Sequence, residues 1–221
     1  MVAPAAEVGA DPGPDTIAVV NRRSFLLSAA GAAALQGQDF SEVRTERVAG
    51  GFKFTEGPAW SPDNYLVFSD VPSDKIHAWK PGEGIVVLRD NSNGGNGNTF
   101  DSKGSLYTCE SRTRRVIRQT PKGEVEVVAE SYNGQRLNAP NDIVIRKDGH
   151  IYFTDPAFGA QADHREMTFY GVYHIPPKGP MELIAQPKGR PNGIELSPDG
   201  RILYVANSDE RKVYAYDVDR N

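Results

Sequence analysis

The sequence predicts an all-β protein, because the chain from residue 52 onward alternates short apolar runs with polar turns and shows no sustained helical period. A second observation is an internal repeat, in which a polar residue opens an apolar run and a turn follows about eight residues later. The repeats open at residues 56, 96, 141 and 192, so the period is about 45 residues. Such a period is typical of a β-propeller blade, and we expect about four blades, each of four strands.

The first repeat shows the order of elements that we expect in each blade. An apolar run follows Glu56, a turn at residues 61–64 reverses the chain, and a second apolar run ends at Asp70. Two more short strands, at residues 75–80 and 85–89, complete the unit around a Pro-Gly turn. The fourth repeat ends after about three strands, so we expect the sequence to be cut short of a whole propeller.

The first 37 residues predict an export signal and not a part of the fold. Arg22 and Arg23 precede a mildly apolar run, rich in alanine and free of charge, that is too short to span a membrane as a stable helix. The pattern resembles a bacterial twin-arginine signal, so we expect the Tat export machinery as a partner and a periplasmic or secreted location. An amphipathic or buried helix with two arginines is the alternative. Residues 38–51 then form a connector to a partial propeller at 52–221.

Composition excludes several classes of function. The chain has 221 residues, of which 38% are hydrophobic, enough to bury a core. A net charge of -4 provides no basic surface for nucleic acid or for an anionic membrane, and no stable membrane insertion is expected. The single cysteine, Cys109, excludes an internal disulfide and a thiolate metal cluster.

The residues that open the four repeats are the candidate site. In a propeller the first strand of each blade lines the central channel, so side chains at equivalent strand ends converge. We call these residues the ring residues: Glu56, Asn96, Asn141 and Asn192. Their carboxylate and amide oxygens suit a hard cation, with Ca²⁺ favoured over Mg²⁺ or Mn²⁺, and the lack of His or Cys in this register weakens the case for Zn²⁺. The alternative for any one of them is a strand-end side chain that bonds nearby backbone.

Four segments make the sequence resemble a known family. They lie at residues 54–60, 140–142, 152–156 and 190–194. They are similar to the gluconolactonase, or senescence-marker-protein-like (SGL), family of six-bladed propellers, and the resemblance covers residues 50–221. In that family a divalent cation on the axis is held by a Glu of the first blade, by Asn residues of two later blades and by an Asp further on. The resemblance therefore implies that Glu56, Asn141 and Asn192 are metal ligands.

The same resemblance implies metal-assisted hydrolysis of a small-molecule lactone. Ca²⁺ is the favoured cation, and Zn²⁺, Mg²⁺ and Mn²⁺ are alternatives. The family's Asp, which is also its expected general base, would lie beyond Asn221, so the catalytic residue stays unknown. Asn96 would contact the substrate, and Asp142 would orient the site from behind the ligands instead of acting as the base. The alternatives are a non-catalytic propeller that binds a cation, a small ligand or a protein, and an inactive fragment.

Two further features border the predicted site or lie outside it. Residues 156–169 form an insertion between the second and third strands of the third repeat, and they either border the site or form a solvated loop. The choice of lactone would depend on such loops. A cluster of four arginines favours a solvated strand edge over an anion site; its members are Arg112, Arg114, Arg115 and Arg118.

Overall fold

The computed structural model describes residues 43–218, so the predicted export signal lies outside the described residues. The chain divides into two units, residues 1–52 and 53–221, and every strand found in the described residues belongs to the second unit. Within residues 43–218, no helix has the length and apolar character that a membrane crossing requires.

The second unit contains four successive antiparallel sheets, each of which follows the chain order. The first blade has β1 (Thr55–Trp60), β2 (Leu66–Asp70), β3 (Lys75–Lys80) and β4 (Gly84–Asp90). The second blade has β5 (Gly95–Phe100), β6 (Leu106–Glu110), β7 (Arg115–Gln119) and β8 (Val125–Ala129). A small hairpin, β9 (Ser131–Tyr132) and β10 (Gln135–Arg136), follows.

The third blade has β11 (Ile143–Ile145), β12 (Ile151–Asp155), β13 (Gly171–Ile175) and β14 (Glu182–Ala185). The fourth blade has three strands within the described residues: β15 (Pro191–Leu196), β16 (Ile202–Asn207) and β17 (Lys212–Asp217). The prediction of an all-β propeller with about four blades is therefore confirmed.

The core lies between adjacent blades. The second strands β2 and β12 are buried along their whole length, whereas the outer strand β4 leaves Val86 and Val87 exposed. One apolar cluster joins the second and third blades around Phe153 and Tyr173, and another joins the third and fourth blades around Val172 and Leu203. Burial of these faces stabilises the stack by about 25 cal/mol for each Å² of apolar surface removed from water. The packing also fixes the first strands side by side, because β1 contacts β5, β5 contacts β11, and β11 contacts β15.

Candidate functional site

All four ring residues line one cavity of about 460 Å³. Glu56, Asn96 and Asn192 lie near the starts of β1, β5 and β15, and Asn141 lies just before β11. Each therefore reaches the cavity from a different blade. The geometry brings the predicted set together, while its role in metal binding stays a prediction.

The ring residues lie where the strand ladder is interrupted or has not yet begun. The pairing of β1 with β2 shifts register between Glu56 and Ala59, and equivalent shifts occur in the second and fourth blades. In the third blade the β11–β12 ladder begins only at Ile143, so Asn141 precedes it. A bulge re-aims a side chain that regular pairing would direct to one face of the sheet. This local geometry allows the ring side chains to face a common space.

The glycines after Glu56 and Asn96 govern how closely the first strands of the first three blades approach. A Cβ atom at Gly57 would lie 2.2 Å from the backbone oxygen of Asn96, and one at Gly97 would lie 2.4 Å from Asp142 Oδ1. Only glycine permits these approaches.

The backbone carbonyls of the last three ring residues each accept a hydrogen bond of 2.7 Å from the preceding blade: Ser69 Oγ donates to Asn96, Gly97 N to Asn141 and Thr154 Oγ1 to Asn192.

Asp142 links the third and fourth blades behind the ring. Its Oδ2 accepts the backbone N–H of Ile194 at 2.9 Å, and its Oδ1 accepts the N–H of Ile143 at 2.9 Å. Burial, together with the nearby charge of Glu56, raises the pKa of Asp142 to about 6, although these two N–H groups oppose the shift. Asp142 lies outside the set of described residues that line the cavity. These contacts suit a residue that orients its neighbours, and that role stays a prediction.

The donor atoms of the ring fit a hard cation. Burial raises the pKa of Glu56, and a nearby cation would favour its ionised form. Asn192 Nδ2 donates to Ser208 Oγ at 3.1 Å, and no donor among residues 43–218 bonds Asn192 Oδ1 or the Asn141 side chain. The part of the chain that the structure describes has no cluster of three or more His, Cys, Asp or Glu side chains placed to hold a metal. A cation here would therefore depend on amide oxygens as well as on Glu56.

The cavity also has lining residues that were not predicted as site residues, among them Phe54 and Ser111. Arg112 lines it too, and its Nη1 pairs with Asp74 Oδ2 at 2.9 Å. The place of Arg112 beside the cavity could have been predicted from topology. In an antiparallel pair the residues that follow the second strand, here β6, lie beside the start of the first strand, here β5.

The prediction of a solvated strand edge for the arginine cluster is wrong. Arg115 and Arg118 lie on β7, which pairs with β6 on one side and β8 on the other and is therefore not an edge strand. Arg112 and Arg114 lie in the turn between β6 and β7, outside any strand. Arg114 is buried, and its Nε donates to the backbone oxygen of Leu137 at 2.6 Å. A side chain fixed in this way holds neighbouring segments together.

The insertion at 156–169 borders the cavity, as one of the two interpretations expected. It contains a 3-10 turn, Gly159–His164, and contributes Phe158, Gly159 and Gln161 to the lining. Arg114 Nη1 donates to the His164 carbonyl at 3.1 Å. On the other side, the Arg190 guanidinium lies 4.6 Å from the centre of the Phe158 ring. The loop is thus tied to both the second and the fourth blades.

Comparison with known proteins places this geometry in a family. Residues 54–221 match the family described as the SMP-30/Gluconolactonase/LRE-like region. A gluconolactonase of Zymomonas mobilis subsp. mobilis is 34% identical over 197 residues, which are 80% of this chain and 55% of that protein.

Solved structures agree with this assignment. The structure of a gluconolactonase from Xanthomonas campestris matches with a TM-score of 0.71 and 34% identity, over 75% of this chain and 58% of that one. A second structure from the gluconolactonase family matches with a TM-score of 0.73 and 30% identity, over 80% of this chain and 63% of that one. The chain thus spans somewhat more than half the length of these relatives. It belongs to the SMP-30/gluconolactonase/LRE-like family.

Proposed function

We propose that this chain binds a divalent cation at the ring residues and hydrolyses a lactone in the cavity that they line. The observation that carries the proposal is that oxygen-bearing side chains from four different blades line one space of about 460 Å³. A cavity of this size suits a small ring compound. Relatives named as gluconolactonases, at 34% identity, support a lactone as the substrate class.

Glu56, Asn141 and Asn192 would hold the cation. Their oxygen donors favour Ca²⁺, with Zn²⁺, Mg²⁺ and Mn²⁺ as alternatives. When bound, a divalent cation polarises a carbonyl group and stabilises negative charge that develops on its oxygen.

The remaining lining residues would bind and orient the lactone. Asn96 and Gln161 carry amide groups that can donate to hydroxyl groups or ring oxygens. Asp74 balances the charge of Arg112, so a neutral, hydroxyl-rich lactone fits this cavity better than a phosphorylated one. Phe158 supplies an apolar wall that excludes water from one side.

The acceptor for the proton of the attacking water stays unassigned in this chain. Both carboxylate oxygens of Asp142 already accept backbone N–H groups, which favours an orienting role over that of a base.

The proposal is tested by measuring hydrolysis of gluconolactone and binding of Ca²⁺ by the full chain, with and without EDTA. We expect turnover that depends on Ca²⁺. Asn141→Ala and Glu56→Gln should each lower it by about 100-fold or more, because they remove groups that support charge development. Glu126→Gln is the control, since Glu126 lies on the outer strand β8 with its side chain 57% exposed.

Two results would count against parts of the proposal. Full turnover in EDTA would exclude a role for the cation. Binding of Ca²⁺ without any turnover would favour the non-catalytic, cation-binding propeller instead.

A further inference from the structure

A carboxylate holds the backbone before every ring residue. In each case it accepts the N–H group of the residue two positions earlier in the chain. The four bonds are Phe54 N to Asp70 Oδ1 at 3.0 Å, Gly94 N to Asp74 Oδ1 at 2.8 Å, Ala139 N to Asp155 Oδ1 at 2.8 Å, and Arg190 N to Asp209 Oδ2 at 2.8 Å.

The four carboxylates do not come from equivalent sequence positions. Asp70 and Asp155 end the second strands of their blades, but the residues at that place in the second and fourth blades are Glu110 and Asn207. Glu110 accepts hydrogen bonds from Thr113 and Arg115 instead. Asp74 lies in the turn before β3, and Asp209 lies in the turn before β17. The hydrogen bond from the backbone N–H to a carboxylate therefore recurs before all four ring residues, although the carboxylate comes from different sequence positions. This indicates that the hydrogen bond itself matters.

We propose that Asp70, Asp74, Asp155 and Asp209 are positioning residues that fix the ring side chains for cation binding. The inference rests on the proposed function. Ring residues lie at bulges or just before a regular ladder, so strand pairing restrains their backbone only in part: Glu56 still pairs with Ser69, and Asn141 N donates to the Thr154 carbonyl at 2.9 Å.

Hydrogen bonds from N–H groups to ionised carboxylates are shorter and stronger than neutral ones, and the pKa values of Asp70, Asp74 and Asp209 are lowered, which favours their ionised forms. Burial raises the pKa of Asp155 to about 7, and its carboxyl still accepts the N–H groups of Asn138 and Ala139 at 2.8 Å. These bonds add to the restraint that strand pairing supplies.

Asp209 is the most informative member of this set. Beyond the backbone contact, it pairs with the Arg190 guanidinium, with Nη2 2.5 Å from Oδ1 and Nε 3.0 Å from Oδ2. The same guanidinium lies 4.6 Å from the centre of the Phe158 ring. Asp209 thus connects the backbone that precedes Asn192 with the loop at 156–169, through the Arg190 guanidinium. Its side chain is 38% exposed, so its replacement leaves the core intact.

The test compares Asp209→Ala with Asp199→Ala in the full chain. Asp199 is a matched control, because it lies in the same blade, at the β15–β16 turn, and also accepts a backbone N–H of an arginine, from Arg201 at 3.1 Å. Its carboxylate also faces the guanidinium of that arginine, at 3.7 Å. Two quantities are compared: the affinity for Ca²⁺ by calorimetry and the exchange rate of the Arg190 amide without Ca²⁺. Thermal unfolding checks that both variants remain folded, which is expected because both carboxylates are exposed.

We expect Asp209→Ala to weaken Ca²⁺ binding by about 10-fold, the range found for partners that orient metal ligands. It should also speed exchange of the Arg190 amide, whereas Asp199→Ala should leave both quantities unchanged. A wild-type chain that binds no Ca²⁺ would overturn the proposed function and this inference with it. Wild-type binding that Asp209→Ala does not weaken would overturn this inference alone. Asp155→Asn, in which one acceptor oxygen is lost, provides a second and more buried site for the comparison, with an expected loss at least as large.

Discussion

Cys109 takes a place in the second blade that hydroxyl residues take in two other blades. Ser69 and Thr154 are the fourth residues of β2 and β12, and each donates to the carbonyl of the next ring residue. In the second blade Gly97 N makes that bond instead, so the position needs no donor. Cys109 is fully buried in the apolar cluster of the second and third blades, and burial raises the pKa of its thiol well above the usual value.

Cys109 should therefore be inert to thiol reagents in the folded chain. We expect labelling by iodoacetamide to be at least about 1000-fold slower than in urea, because reaction requires unfolding. The measurement is the mass of the chain over time at increasing urea, followed beside the circular dichroism signal. Rapid modification of the native chain would contradict this burial. Cys109 is the only cysteine in the chain, so Cys109→Ser should take up no label at all.

Among individual residues, the repeat predicts some members of the candidate site but not all of them. Glu56 and Asn141 could be selected because they hold the same phase in repeats whose first strands converge. Arg112 has no such phase: antiparallel topology brings the turn after β6 beside the cavity, but the orientation of the Arg112 side chain depends on its ion pair with Asp74. Such a contact between residues far apart in the chain leaves no periodic signal.

Among the secondary-structure elements, the contact between the first two blades depends on the buried carboxylate of Glu110. Glu110 in β6 is fully buried, and its carboxylate accepts hydrogen bonds from Arg115 Nε and Thr113 Oγ1, both at 2.6 Å. Arg89 in β4 of the first blade also pairs with it. Burial would raise the pKa of Glu110, but these partners lower it below the usual value. The stability that the ionised Glu110 contributes is therefore present above the usual Glu pKa and is lost as the pH falls through the lowered value.

Glu110→Gln should destabilise the chain by about 3–5 kcal/mol at neutral pH, because it leaves two guanidinium groups without their buried carboxylate. Urea unfolding measures the change. Glu126→Gln serves as the control: Glu126 pairs with Arg118 at 2.8 Å but its side chain is 57% exposed, so about 0–1 kcal/mol is expected. Equal effects of the two variants would show that burial does not strengthen the Glu110 contacts.

Strand positions followed from alternation of apolar and polar residues, but the small β9–β10 hairpin did not. Its strands have two residues each, too few for an alternation pattern. The signal that could have found it is the turn between them, Asn133-Gly134, in which both residues have positive φ values of 50° and 81°. Asn-Gly is the preferred pair for such a tight hairpin turn. The bulges at the ring residues left no comparable signal, because they depend on pairing between strands.

Across the whole second unit, contacts between blades converge on the loop at 156–169. Its Glu166 carboxylate accepts the backbone N–H of Arg136 at 2.9 Å, and its His164 carbonyl accepts a bond from Arg114. The number of blades could be predicted from the period of the repeat, since each blade is built from local chain. The anchoring of this loop could not, because it joins segments from separate blades.

This anchoring predicts that Phe158 governs lactone binding and leaves the cation unaffected. Phe158→Ala removes an apolar wall of the cavity and the face on which Arg190 stacks, so we expect the KM for gluconolactone to rise about 10-fold, or ~1.4 kcal/mol. Ca²⁺ affinity should not change, since Phe158 supplies no oxygen ligand. Tyr170→Ala is the matched control, because the Arg165 guanidinium lies 4.8 Å from the centre of the Tyr170 ring while Tyr170 lies outside the described cavity lining. The comparison needs KM and calorimetry for both variants, and equal rises in KM would show that loop stability, and not the Phe158 wall, sets lactone affinity.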